Sequence, residues 1–418
     1  MISHEVRPGR AAALARVPAF WVIAALLLAG ALRMAQITGR FATAYPIATL
    51  TAVGLFALLA VPFWLLVAEL DFLEREPTEL LVLAFAWGGL VATSVSIQGS
   101  AALENLLAKL GSPHLAAEWG ATLAGPAVEE SAKTLGVVAI VLIARRQINS
   151  VLDGVVYGAM VGLGFQIAED IVFAVGAVAL AGQGDDVQPV IATFLLRGFL
   201  SGVWSHTLFG ALAGAGIGYL VVRRDKPFAL RLGVALLAVL GAWASHALWN
   251  SPLFSDGLGN GALALLGVIL LKGLPPLLLI LWWVRHAHDR EADYYITQLA
   301  TLRDPGLITE GEMSVLGSGS ARASARRLAG ERAGSAGRRA VRRLQRAQAR
   351  VAVELSQGVP VASLSREPIR RQREVLRGLG HPEAIAGPRS WRHTASTIIT
   401  TLVAIAVLWV ALSALGGA

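Results

Sequence analysis

"TLAGPAVEESAKTLGVVAIVLIARR", residues 122–146, decides how the rest of the chain is read. From 122 to 144 it is apolar or small except for a few polar positions, chiefly Glu129, Glu130 and Lys133, and Arg145-Arg146 closes it. A run of that length suits a membrane-crossing helix, which needs about 20 mostly apolar residues. Inside a bilayer each ionisable group costs a few kcal/mol, so all three are candidates for function.

The rest of the chain supports the membrane reading. It is 55% hydrophobic and only 15% charged over 418 residues, whereas soluble domains carry about 25% charged residues. Cysteine is absent, which excludes disulfides, thiolate metal sites and thiol catalysis. Spans are predicted near 17–37, 46–69, 79–98, 122–144, 151–180, 189–222, 228–249, 259–284 and 394–416. The first is a retained helix and not a cleaved signal, because no small-residue cleavage site follows it. The expected fold is therefore all-α, a polytopic transmembrane bundle of about nine spans with a small cytosolic Arg-rich helical segment.

Basic clusters set the orientation. Arg145-Arg146, "RRDK" at 223–226 and "RHAHDR" at 285–290 alternate with the acidic or neutral loops "GQGDD" at 182–186 and "SPLFSDGLGN" at 251–260. The positive-inside bias puts the N-terminus and the Arg-rich segment in the cytosol and the C-terminus outside, although Arg33 and Arg40 run against it. Much of the net charge of +8 comes from residues 322–392. There Ala340, Leu344, Ala347, Val351 and Leu355 recur at helical spacing, with arginines on the other face. Such a segment fits a solvated helix that fixes orientation; anionic lipid is its candidate partner, ahead of nucleic acid.

Polar residues inside the spans carry the chemistry. The span 151–180 contains "DGVVYGAMVGLGFQIAEDIVFAV" (153–175), with Glu169 and Asp170 after Gly158, Gly162 and Gly164. The next, "RGFLSGVWSHTLFGALAGAGIGY" (197–219), contributes Arg197 and His206; "ASHALWN" (244–250) contributes His246 and Asn250. Counted from the cytosolic ends, Glu130, Glu169, His206 and His246 lie about 15 to 19 residues deep. At about 1.5 Å per residue this is roughly 22–29 Å, one layer near the outer boundary of the hydrocarbon core. Lys133 lies one turn beyond the two glutamates and neutralises only one of them. Arg197, above that layer, reads as an interface anchor or a ligand for a substrate carbonyl. Asn250 reads as an orienter of His246 or as a cap, and the glycines as helix-packing positions that also permit a helix shift.

"EESAK", then "DGVVYGAMVGLGFQIAED", "SHTLFG…GIGY" and "SHALWN", in this order, resemble the PrsW family of intramembrane proteases, distant relatives of the CAAX-type prenyl-protein proteases. The resemblance covers roughly residues 120–250 and implies that Glu129, Glu130, Glu169, His206 and His246 are the functional residues. It also implies cleavage of membrane-anchored proteins by a multi-pass protein of the plasma membrane. The chain departs from the family in having Glu169-Asp170 where Glu-Asn is usual.

Peptide hydrolysis needs an activated water, a carbonyl polariser and a proton donor. Glu169, His206 and His246 form a two-His, one-carboxylate set able to hold Zn2+, with Glu130 or Glu129 as general base. No "HExxH" occurs. A metal-free route would use a glutamate to activate water and His206 to stabilise the oxyanion. A proton- or ion-coupled transporter is a third reading, disfavoured because the polar groups form one layer and no path. The expected organisation is N-terminal spans and an outer loop (1–121), a catalytic core (122–250), an eighth span (251–284), the cytosolic segment (285–393) and a C-terminal span (394–418).

Overall fold

The computed structural model describes residues 17–70, 76–201, 206–253, 267–356 and 358–387. Among the described residues all regular structure is helical, in two compact units, one reaching to Val284 and one beginning at Arg285. The predicted span 394–416 lies outside the described residues.

The first unit begins with α1 (Pro18–Ala44) and α2 (Pro46–Ala68). Tyr45-Pro46 separates them: proline suits a first helical turn because it has no amide hydrogen to leave unpaired. The carboxylate of Asp185 accepts from the amides of Ile47 (2.7 Å) and Ala48 (2.9 Å), capping α2 from a distant loop. The helix α3 (Thr78–Leu110) contains a π-helical turn at Trp87–Ala92 and runs further than the predicted span 79–98. Glu129, Glu130 and Lys133 lie on α4 (Pro113–Ala144), capped by Ser112, whose oxygen accepts from the Leu115 amide at 3.0 Å. Ser150 and Asp153 form a reciprocal capping box at the start of α5 (Val151–Ala181), and Gly182 ends it in the left-handed region at φ 65°.

The predicted span 189–222 is two helical pieces. The first is α6 (Gln188–Thr193), continued by a π-helical turn over Phe194–Ser201; the second is α7 (His206–Val222), and residues 202–205 lie outside the described residues. There follow α8 (Phe228–Asn250), a π-helical turn at Ile269–Gly273 and α9 (Leu274–Thr301). No glycine or proline interrupts 285–301, so α9 continues past the predicted end of the eighth span.

Five of these helices (α1, α2, α3, α5 and α8) are long and apolar enough to cross a membrane. Their outer faces present Trp21, Leu50, Leu58, Leu237 and Leu240. In water such a surface would be costly; facing acyl chains it is not. The chain is a multi-pass membrane protein.

Glycine fixes the packing at the centre. A Cβ on Gly158 would stand 2.1 Å from the Gly210 carbonyl oxygen, and one on Gly162 would stand 2.1 Å from that of His206. On its opposite side α5 meets α3, where a Cβ on Gly164 would lie 1.9 Å from the Phe85 oxygen. Without side chains at these positions the backbones of α3, α5 and α7 approach closely, the usual basis of helix association in lipid.

The second unit contains α10 (Glu310–Leu316), α11 (Gly319–Ser356), which turns at Ala333-Gly334, and α12 (Glu367–Gly378). Ala340, Leu344, Ala347 and Val351 are buried in its core with Tyr295, Leu299 and Leu376, and Leu355 packs against it. The helical spacing seen in the sequence marks a core face, so α11 is part of a packed unit and not an isolated solvated helix. Arg327, Arg338, Arg339, Arg342 and Arg343 point outward. A charge pair lies inside it: Arg373 Nη2 is 2.7 Å from Glu312 Oε2, and Gln348 Nε2 donates to the same oxygen at 2.7 Å.

Candidate active site

Four helices of the first unit bring together the polar residues that the sequence singled out. Glu129, Glu130 and Lys133 come from α4, Glu169 and Asp170 from α5, His206 from the first position of α7 and His246 from α8. Glu130 and Lys133 are 1% exposed, His246 2%, His206 5% and Glu129 7%. The close approach at Gly162 sets His206 against α5, and Phe209 stacks on His246 with ring centroids 5.1 Å apart.

Each imidazole is held by a carboxylate. His206 Nε2 lies 2.9 Å from Glu169 Oε2, and His246 Nδ1 lies 2.8 Å from Glu130 Oε1. A carboxylate only accepts, so these ring nitrogens carry the hydrogens and the network assigns the tautomers. The remaining nitrogens, His206 Nδ1 and His246 Nε2, are left as lone-pair donors. Lys133 Nζ lies 3.0 Å from the first, and the Asn250 amide nitrogen 3.2 Å from the second.

Both lone-pair nitrogens stand 3.8 Å from Glu129 Oε2. That oxygen is buried and has no hydrogen-bond partner. Glu129, His206 and His246 are accordingly the one trio among the described residues able to converge on a metal ion, their ligand atoms all within 4.8 Å of one another. The trio expected from the sequence contained Glu169. In the structure Glu169 instead contacts the other nitrogen of His206, Nε2, and is not part of the trio.

Lys133 bridges the cluster, 2.6 Å from Glu130 Oε1, with its ammonium 4.7 Å from the Phe165 ring centroid. Arg197 does more than the sequence revealed. Its guanidinium donates from Nη2 to Glu169 Oε2 and from Nε to Asp170 Oδ1, both at 2.5 Å, and stacks 4.1 Å from the Phe173 ring centroid. Arg197 therefore matches the extra charge of Asp170, a pairing with no sequence signal because 27 residues separate the partners. Asn250 reaches His246, and its amide also donates to the Ala121 carbonyl of α4 at 3.3 Å, a contact between helices and not a cap of its own helix.

The cluster opens on a cavity of about 360 Å³, lined among others by Glu129, Glu169, Arg197, His206, His246 and Asn250. Glu130 does not line it and stands behind His246. Two imidazoles with one carboxylate are a donor set suited to zinc.

A family model described as PrsW family intramembrane metalloprotease matches residues 76–290, about half of the chain. No match was found among curated proteins or among solved structures.

Proposed function

The chain belongs to the PrsW family of intramembrane proteases, and from that premise we propose that it hydrolyses a peptide bond of a membrane-anchored protein in the cavity beside Glu129, with a divalent metal, zinc first, held by Glu129, His206 and His246. One observation carries the reading: two imidazoles, each donating to a carboxylate through one nitrogen, turn the other toward the same unpaired oxygen, Glu129 Oε2, at 3.8 Å.

The residues divide the work. Glu169 and Glu130 fix the tautomers of His206 and His246, as carboxylate partners of metal-binding histidines do. A bound divalent cation supplies Lewis acidity for water and for the scissile carbonyl. Glu169 lines the cavity and holds His206 and Arg197 through Oε2, so its other oxygen, Oε1, takes the proton of the attacking water and returns it to the leaving amine. Glu130, enclosed between Lys133 and His246, is a structural partner and not the base. The Asn250 amide, on the cavity wall, donates to the developing oxyanion.

A second reading has its own observation. Lys133 Nζ lies 3.0 Å from His206 Nδ1, the direction a metal would use. In a metal-free glutamate mechanism Lys133 keeps that place and Glu129 is the general base. Metal analysis of active protein separates the two.

The finer topology belongs to the same proposal. Adding α4, the α6–α7 pair, α9 and residues 394–416 to the five apolar helices gives nine spans. The positive-inside bias then puts the N-terminus and residues 285–393 in the cytosol, and the site in the outer leaflet of the plasma membrane. Residues 122–250 form the catalytic core, and the arginines of α11 face anionic headgroups.

The test is cleavage of a single-span reporter co-expressed with the full chain. The wild type is expected to cut it, and Glu129→Ala and His206→Ala/His246→Ala to fall by at least about 10³-fold with membrane levels intact. Cleavage that persists in the double histidine variant overturns the proposal.

A further inference from the structure

The cavity has a second polar wall that the reaction does not use. On α3, Ser96, Ser100 and Glu104 follow one another at four-residue spacing and so share a helix face. Ser100 and Glu104 line the cavity. The hydroxyl oxygens of Ser96 and Ser100 are buried without a partner. Glu104 is half-buried and has no ion pair or hydrogen bond among the described residues.

Glu104 packs on a bare stretch of α4. A Cβ on Gly120 would lie 3.2 Å from Glu104 Cγ, and one on Gly125 would lie 3.3 Å from Glu129 Oε1. The two carboxylates thus sit over the same helix five residues apart, with Glu104 nearer the α3–α4 turn at Gly111-Ser112. Five residues rise about 8 Å along the α4 axis and turn about 140° around it, so the two carboxylates are at least that far apart.

Among the described residues no cation pairs with Glu104. Among the described residues lining the cavity, Arg197 is the one lysine or arginine, and Glu169 and Asp170 hold it. The loop 251–260 that follows His246 in sequence contains neither residue type. Trp249, an aromatic surface of the kind that attracts ammonium and guanidinium groups, lines the same cavity.

We infer that Glu104 is a specificity-determining residue, receiving a lysine or arginine side chain of the substrate polypeptide. The inference rests on the protease reading above. An extended chain advances about 3.3 Å per residue, so a separation of at least about 8 Å corresponds to a basic residue two or more positions from the scissile bond, on the side of the α3–α4 turn.

The experiment uses full-length protein and a panel of single-span reporters. Lysine, glutamine or glutamate is placed in turn at each of the four positions on either side of the cleavage point, which mass spectrometry locates. The wild type is expected to prefer lysine over glutamine by about tenfold at a single position, as a partly desolvated ion pair of ~1.4 kcal/mol requires. Glu104→Gln should bring that ratio close to one, and Glu104→Lys should transfer the preference to glutamate at the same position. Identical profiles in wild type and Glu104→Gln overturn the inference while leaving the protease reading intact. If Glu104→Lys does not accumulate, the near-isosteric Glu104→Gln still decides. A wild type that cuts no reporter overturns both.

Discussion

Gly162 of α5 lies so close to His206 of α7 that a Cβ added to it would stand 2.1 Å from the His206 carbonyl oxygen. The obstacle is backbone, which cannot rotate aside as a side chain can. One hydrogen-for-methyl difference therefore governs where an imidazole of the site sits relative to Glu169.

From this contact Gly162→Ala is expected to lower both thermal stability and cleavage, by separating α5 from α7 and moving His206. Gly176→Ala on the same helix, with nothing within 4 Å of its Cβ position, is the control; it should be neutral or stabilising by up to about 1 kcal/mol, the ordinary helix-propensity gain. Melting of the purified protein in detergent, with reporter cleavage alongside, compares the two. Equal behaviour would show that the close approach is not what positions His206.

Metal content is expected at about one divalent ion per chain in active protein, lost in Glu129→Ala and in the double histidine variant. Glu130→Gln and Glu169→Gln remove carboxylates that hold the imidazoles and should weaken metal affinity by roughly 10–100-fold without abolishing it. Elemental analysis, and titration of chelated protein with zinc, read both effects. Fully active protein that contains no stoichiometric metal selects the glutamate mechanism.

Arg197 and Asp170 should behave as a coupled pair. Arg197→Gln leaves Asp170 and Glu169 without their cation and is expected to impair cleavage strongly, whereas Arg197→Gln with Asp170→Asn removes opposite charges together and should recover part of the loss. Contacting groups in one network show couplings of about 0.5–3 kcal/mol. Purely additive effects of the two substitutions on kcat/KM would show that the pairing contributes nothing to the site.

In the second unit, Arg373→Met is expected to destabilise the fold by about 3 kcal/mol or more, because it leaves Glu312 buried at 2% exposure without its cation. Limited proteolysis of the full chain should then cut within residues 285–387 faster than in wild type. Replacing Glu312 and Arg373 together by apolar residues should cost less than removing either partner.

Much of this site is legible in the primary structure because a membrane magnifies the meaning of a charged residue. Glu129, Glu130, Lys133, Glu169, Arg197, His206 and His246 stand out as groups that apolar spans would not otherwise contain, and their order resembles the family to which the chain belongs. Helical periodicity likewise exposed the buried face of α11. These features are local: they depend on how apolar a run is and on 100° per residue along a single helix. Which carboxylate stands between the imidazoles was not legible in that way. Rotating α5 or α4 about its own axis leaves every spacing in the sequence unchanged while exchanging Glu129 and Glu169 at the centre. The rotation is set by contacts between helices, at Gly158, Gly162 and Gly164, and these also turned Glu169 toward Nε2 of His206 and brought Asp170 within reach of Arg197. The sequence by itself determined which chemical groups enter the membrane; tertiary packing decided which of their atoms face one another.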